Sequence, residues 1–264
     1  MTTTSLATAP FHGWAVELRN DRVQAHGTTG AEAAAFTTLS FSKEFSELWG
    51  IGGGFGTARS LGTGGLIGSI QAHLELFRTS ISPSIARNML VSSSQALHAN
   101  LMETDFGLAI SHELENGFSI EGDVHRKYLS DGNRSDEVEF SPTYSFDLRG
   151  TKLALGYHFS YLAFATNPEN GYWSPRRALS NELTAAWTFD WLRTYGGLEL
   201  SAGRDSVREQ GVSNVGPGGG FGGSVGTSLG FRLDKGLSVD LNWSMEGSAT
   251  WHSMLSGIAL RYVF

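Results

Sequence analysis

Leu237-Ser-Val-Asp-Leu-Asn-Trp-Ser-Met-Glu246 puts Leu237, Val239, Leu241, Trp243 and Met245 on one side of an extended chain. Ser238, Asp240, Asn242, Ser244 and Glu246 fall on the other. Successive side chains point to opposite faces only in a β-strand, so the stretch predicts a strand with one apolar and one polar face. The pattern recurs along the chain. Phe118, Ile120, Gly122 and Val124 alternate with Ser119, Glu121, Asp123 and His125. Val138, Phe140, Tyr144 and Phe146 alternate with Glu137, Glu139, Thr143 and Ser145, and further apolar rows run from Leu153 to Tyr161 and from Leu183 to Trp191. The opposite faces are rich in Gly, Ser and Thr and carry charge, which a soluble sandwich would not bury.

Composition narrows the class. The chain has 264 residues, 34 glycines, 6 prolines, 17% charged and 40% hydrophobic residues. Mean hydropathy is −0.14. No window approaches eighteen uninterrupted apolar residues, so transmembrane helices are excluded. A membrane then admits only a closed barrel, because all backbone groups must pair between strands. There are no cysteines, which excludes disulfides, zinc–thiolate sites and thiol catalysis. Net charge is −7 and no basic run tracks a phosphate backbone, so no nucleic-acid partner is expected. MTTTSLATAP lacks the basic and apolar regions of a signal peptide. An exported barrel that starts this way is expected to be a mature form or an excised domain.

Turn chemistry sets the strand count. Short turns are predicted at 113–117, 147–150, 190–193 and 233–236, and longer loops at 130–136, 166–177, 206–220 and 247–251, as in barrels with short periplasmic turns and long extracellular loops. Thirteen strands read directly, from 13–24 to 252–264. Parity demands one more between Thr79 and His98, where the apolar content permits a poorly patterned strand with no helix. The expectation is an all-β, antiparallel up-and-down transmembrane barrel of fourteen strands over residues 12–264, with 1–11 a linker or disordered. Both termini would be periplasmic, in a bacterial outer membrane. Outward aromatics near strand ends (Trp14, Trp49, Tyr161, Trp187, Trp191, Trp243 and Tyr262) predict an interfacial girdle.

The chain ends Ile258-Ala-Leu-Arg-Tyr-Val-Phe264, which resembles the C-terminal signal read by barrel-insertion machinery, with Tyr262 and Phe264 as its residues. Tyr128-Leu-Ser-Asp-Gly-Asn-Arg134, Asn167-Pro-Glu-Asn-Gly-Tyr-Trp-Ser-Pro-Arg-Arg177 and Glu75-Leu-Phe-Arg-Thr-Ser-Ile-Ser-Pro-Ser84 resemble segments of the C-terminal barrels of exopolysaccharide exporters of the cellulose, poly-N-acetylglucosamine and Pel type. The resemblance covers roughly 65–190 and the last strand. It implies export of a secreted polysaccharide, a periplasmic tetratricopeptide-repeat scaffold as partner, and about sixteen strands, an even number like other such barrels. The chain departs in having no such repeat and two fewer predicted strands.

Alternation predicts the pore lining: Glu121, Asp123, His125, Lys127, Glu137, Glu139, His158, Glu182, Glu199, Asp240, Glu246 and Arg261. Acids exceed bases there, and a low-dielectric wall focuses their field into the lumen. Charges kept only for solvation are the alternative. Tyr172 and Trp173 are loop candidates for sugar contact, or anchors packing into the mouth. His125 and His158 face inward near Ser160, but no Gly-x-Ser-x-Gly or other hydrolase motif occurs, so no enzyme, catalytic residue, cofactor or metal is expected. Gly50-Ile-Gly-Gly-Gly54 and Gly216-Pro-Gly-Gly-Gly220 precede no helix and are not phosphate loops. The leading function is passive conduction of a polysaccharide through an acidic hydrated lumen. A general or cation-preferring porin and a surface receptor or adhesion barrel are the alternatives.

Overall fold

The computed structural model describes residues 2–7, 14–27, 30–60, 63–210, 220–234, 237–248 and 252–262. The strands are β1 (Thr2–Ala7), β2 (Trp14–Gly27), β3 (Gly30–Ser46), β4 (Trp49–Ser60), β5 (Thr63–Leu76), β6 (Thr79–Met89), β7 (Met102–Glu113) and β8 (Phe118–Leu129). They continue as β9 (Arg134–Leu148), β10 (Thr151–Phe164), β11 (Arg177–Trp191), β12 (Thr194–Arg208), β13 (Phe221–Asp234), β14 (Leu237–Ser248) and β15 (His252–Tyr262). One helix, α1 (Ser94–His98), lies between β6 and β7. Each strand pairs antiparallel with the next in one 15-stranded sheet.

The fourteen predicted strands correspond to β2–β15. β1 is an addition, in the stretch expected to be a linker: Thr2 pairs opposite Arg22 and Ala7 opposite Glu17. The segment expected to be a strand through His98 is instead strand to Met89 and then helix. Ser93 caps α1 by accepting a hydrogen bond from the Ala96 amide at 3.1 Å. The Leu90 amide donates to the Leu101 carbonyl at 2.8 Å, closing the excursion at its base.

Register fixes the faces. Across β9–β10–β11, Tyr144, Leu155 and Ala185 share one face, and Glu139, Ser160 and Ser180 the other. Across β12–β13–β14, Leu198, Thr227 and Trp243 lie opposite one another, while Gly197, Ser228 and Asn242 line the reverse. The apolar face is left uncovered by protein: Leu183 is 70% exposed. So continuous an exposed apolar surface requires a non-aqueous neighbour. Aromatics cluster on it near the long-connection end, where Phe106 packs edge-on against Tyr128, and at the short-turn end, where Phe45 stacks on Trp49 at 4.1 Å and Trp187, Phe189 and Trp191 form a tilted run. This is the girdle expected at a membrane interface. The turns there are tight, and Phe77, Arg149 and Leu192 take positive φ at their tips.

Connections at the other end are less uniformly long than predicted. β8–β9 needs only 130–133, since β9 already begins at Arg134. The long ones are 90–101, 165–176 and 209–220, the last containing residues outside the described set. The Gly216–Gly220 motif and Phe264 also fall outside it, apart from Gly220 itself. Tyr262 closes β15.

Candidate functional site

The buried hydrophobic side chains of the described residues belong to two clusters that meet at α1. Leu97 packs among Ala34, Ala58, Ile67, Met89 and Met102, while Ala96 and Leu101 pack with Leu129 and Tyr172. Ala34 and Ala58 belong to the face that carries Glu17 and Ser40, so α1 sits on the polar side of the sheet. Tyr172 comes from the β10–β11 connection. Six strands separate β3 from β10 in the sheet order. Flat, at about 4.8 Å per strand, they would stand roughly 34 Å apart. A five-residue helix, about 7.5 Å long, links them only because the sheet curls with its polar face inside.

The links across this mouth are specific. His98 Nδ1 lies 3.6 Å from Glu32 of β3, and the Asn100 side-chain Nδ2 donates to the Thr63 hydroxyl of β5. On the other side the Gln95 side chain donates to the Glu169 carbonyl at 2.9 Å. Gly171 has φ +82° and runs directly under Gln95, whose Cβ would stand 2.4 Å from an added methyl and would have to move. Only glycine suits both that conformation and that approach.

Two loop segments noted in the sequence interlock here. Asn133 is 3% exposed. It donates to the Thr166 carbonyl at 2.9 Å and to the Tyr172 hydroxyl at 2.8 Å, while its Oδ1 accepts from the Thr166 amide at 3.0 Å. The Tyr172 hydroxyl donates to Asp131 at 2.9 Å, and Asn170 donates to the same carboxylate at 3.0 Å. Burial pushes the Asp131 carboxyl up, but hydrogen bonds from Asn170, the Asn133 amide and Tyr172 outweigh it and hold the group below its usual range. Burial, with the neighbouring Asp131 adding to it, pushes the Tyr172 phenol up to about 12.

Tyr172 is therefore corrected from a sugar-contact candidate to an anchor, because its ring is 8% exposed and its hydroxyl is fully engaged. Trp173 is 55% exposed, its indole N–H held by Glu209 at 3.2 Å. Removing a buried partner leaves the others unsatisfied, so Asn133→Ala is expected to destabilise this junction by about 1–3 kcal/mol. Hydrogen exchange at 165–172 should accelerate while the mid-strand amides of β12–β14 stay protected. The Asp131 contribution has the sign of a depressed carboxylate: it is present above the unfolded pKa near ~3.9 and lost as pH falls below it.

Below the mouth, β7–β11 bring the sequence-predicted charges together on the inner face. Asp123 lies opposite Glu139, and His125 opposite Glu137. Asp105 lies 3.0 Å from His125 Nδ1, and Lys127 Nζ lies 2.8 Å from Glu137. His158 lies opposite Glu182, and its Nδ1 is 2.8 Å from the Ser141 hydroxyl, not Ser160. Glu121 faces Ser141 one register step further toward the turns. Glu199, Asp240 and Glu246 share the inner face on other strands, opposite Gly226, Gly230 and Ser224, and Arg261 lies opposite Ser238. Those strands also carry Asp205, opposite Ser180, and Arg232, opposite Ser238, on the inner face, among Gly, Ser and Asn. Charge is thus densest on β7–β9, where Asp105, Glu121, Asp123, Lys127, Glu137 and Glu139 share the inner face, and thinner on the other strands. Sequence reasoning missed Glu32, which meets α1, and Glu103, which opens β7 on the inner face. Among the described residues no group of His, Asp and Glu is arranged to hold a metal ion.

An apolar exterior, a polar interior and a strapped mouth define the β-barrel architecture of outer-membrane proteins. No protein-family model and no curated protein matches the chain. Solved structures do. A bacterial polysaccharide outer membrane secretin aligns with a TM-score of 0.79 at 9% identity, over 99% of this chain and 89% of that one. A loop-deletion mutant of OmpT, an outer membrane protein of Vibrio cholerae, aligns with a TM-score of 0.52 at 8% identity, over 99% and 98%. OccAB3 of Acinetobacter baumannii aligns with a TM-score of 0.52 at 11% identity, over 96% and 75%. At such identities the likeness establishes the fold.

Proposed function

We propose that this barrel is an outer-membrane pore that passes a secreted polysaccharide, with the long connections facing outward and the short turns facing the periplasm. The carrying observation is the acid-rich inner face of β8 and β9. Asp123 and Glu139 stand directly opposite on neighbouring strands, an arrangement that costs stability unless cations sit between them. A polymer bearing free amines supplies such cations transiently and slides past the intervening Gly, Ser and Thr positions without strong contacts. An anionic uronate polymer is repelled in the same confined space. The name of the secretin neighbour supports the export reading. Conduction is passive, driven by synthesis elsewhere, and a periplasmic scaffold would deliver the chain. In proteoliposomes, oligomers of glucosamine should enter faster than oligomers of a uronic acid, and equal rates would remove the charge argument.

A cation-preferring porin is the second reading. It is favoured by Trp173 being, among the described residues, the one exposed aromatic in the long connections, since a dedicated glycan path needs more than one stacking surface.

The orientation has its own test. Cysteines at Ala165 and Glu169, exposed in the β10–β11 connection, should react with an impermeant thiol reagent on intact cells. Cysteines at Phe77 and Asn116, exposed in the opposite turns, should not. The reverse labelling pattern would invert the barrel.

A further inference from the structure

Register sorts the chain's charges radially as well as along the pore. Arg22 and Arg59 both lie opposite Ala35, and Arg87 lies opposite Thr104, all on the outer face near the long-connection ends of their strands. Arg134 lies opposite Tyr128 on that face. On β11 and β12, Arg177 lies directly opposite Arg208, with Arg204 opposite Asn181 two pleat repeats below. Of these, all but the half-buried Arg177 are exposed. At the other end of the barrel, the outward cation on a described strand is Lys43. Its ammonium is already occupied, 5.0 Å from the centroids of both the Trp14 and Phe45 rings.

The belt has little internal compensation. Asp136 is the outward carboxylate in this region, and it is spent on Arg126 at 2.6 Å. The remaining ion pairs of Lys and Arg among the described residues use Arg19, Lys127 and Arg232, none of them in the belt. Glu209, next to Arg208, is held by Trp173. Two guanidinium groups opposite one another with no shared carboxylate repel. They become favourable once an anion with several oxygens sits between them, and phosphate matches the guanidinium fork with paired hydrogen bonds. The position fits a membrane too: outward arginine is costly at the bilayer midplane and cheap at the interface.

We propose that this arginine belt, centred on Arg177, Arg204 and Arg208, binds the phosphate groups of the phosphorylated glycolipid of the outer leaflet. The binding fixes the depth of the barrel in that leaflet. This rests on the outward orientation of the long connections and is independent of what the pore conducts.

The test uses the refolded full chain in a neutral detergent, titrated with diphosphorylated lipid A and read by native mass spectrometry. The wild type should retain the lipid, and the R177Q/R204Q/R208Q variant should bind at least tenfold more weakly, with the gap narrowing as salt rises. K43Q should bind as the wild type does. Heat-modifiable migration shows that each variant is folded. The lipid with its phosphates removed should bind the wild type as weakly as the triple variant binds the intact one. Unchanged binding by the triple variant, equal binding of the dephosphorylated lipid, or displacement by an equal amount of phosphatidylglycerol would each overturn the assignment. Conductance of the triple variant in a phosphatidylcholine bilayer should equal the wild type. A barrel that binds the lipid but passes no current ends the pore reading and leaves the belt intact.

Discussion

A barrel in which residues 92–100 are replaced by a short Gly-Ser linker is expected to conduct severalfold more current than the wild type. The replaced stretch contains α1, whose Leu97 and Ala96 are fully buried between the inner face of β3–β5 and the β10–β11 connection. Burying a leucine of this size is worth about 1.5–3 kcal/mol, so the strap is held rather than loosely draped. Removing it leaves the interstrand ladders untouched, because β6 and β7 pair directly from Met89 with Met102. The folded barrel should therefore survive. A milder version is Gly171→Ala, which forces Gln95 aside and places a side chain in a left-handed backbone conformation. Its single-channel current should show more frequent excursions to the open level. Wild-type conductance and noise in both variants would mean that the strap does not lie across the conducting path.

Arginine at Leu155, Leu183 or Leu241 is expected to cost roughly 2–4 kcal/mol each in a lipid refolding titration. All three are outward and near mid-strand, and each is exposed on the face that lacks protein cover. Arginine at Ser228 or Ser244, on the inner face of β13 and β14, should cost far less because those positions meet water. Phe189, by contrast, lies two residues from the end of β11, inside the aromatic girdle. It should tolerate the change better than Leu183 despite facing the same way. Equal penalties at inner and outer positions would mean that the two faces are interchanged.

The faces were legible because period two survives even in polar strands. Leu237–Glu246 alone distinguishes lipid side from lumen side, and pairing across β13–β14–β15 repeats that assignment. The helix was not legible. Five residues make little more than one turn, too few to display a 3.6-residue period, and Leu90, Val91, Ala96 and Leu97 satisfy a strand template nearly as well. β1 was hidden for a different reason. Thr2-Thr-Thr-Ser-Leu-Ala7 contains no alternating apolar row, and its strand character comes from pairing with β2. The arginine belt is hidden in the sequence because Arg134, Arg177 and Arg208 fall within its predicted loops. A strand that runs one or two residues further gives each of them a face. The anchoring of Tyr172 depends on Asp131 and Asn133, about forty positions away, and no local pattern announces such a contact.

The central claim is that the acids on β8 and β9 set the preference of the pore, and reversal potential in a planar bilayer under a salt gradient tests it most directly. The wild type should prefer cations. Changing Glu121, Asp123, Glu137 and Glu139 together to Gln or Asn should move the reversal potential toward anions, with the shift shrinking at 1 M salt, where the Debye length is about 3 Å. A wild-type barrel that proves anion-selective, or a fourfold variant whose reversal potential does not move at low salt, would contradict the account.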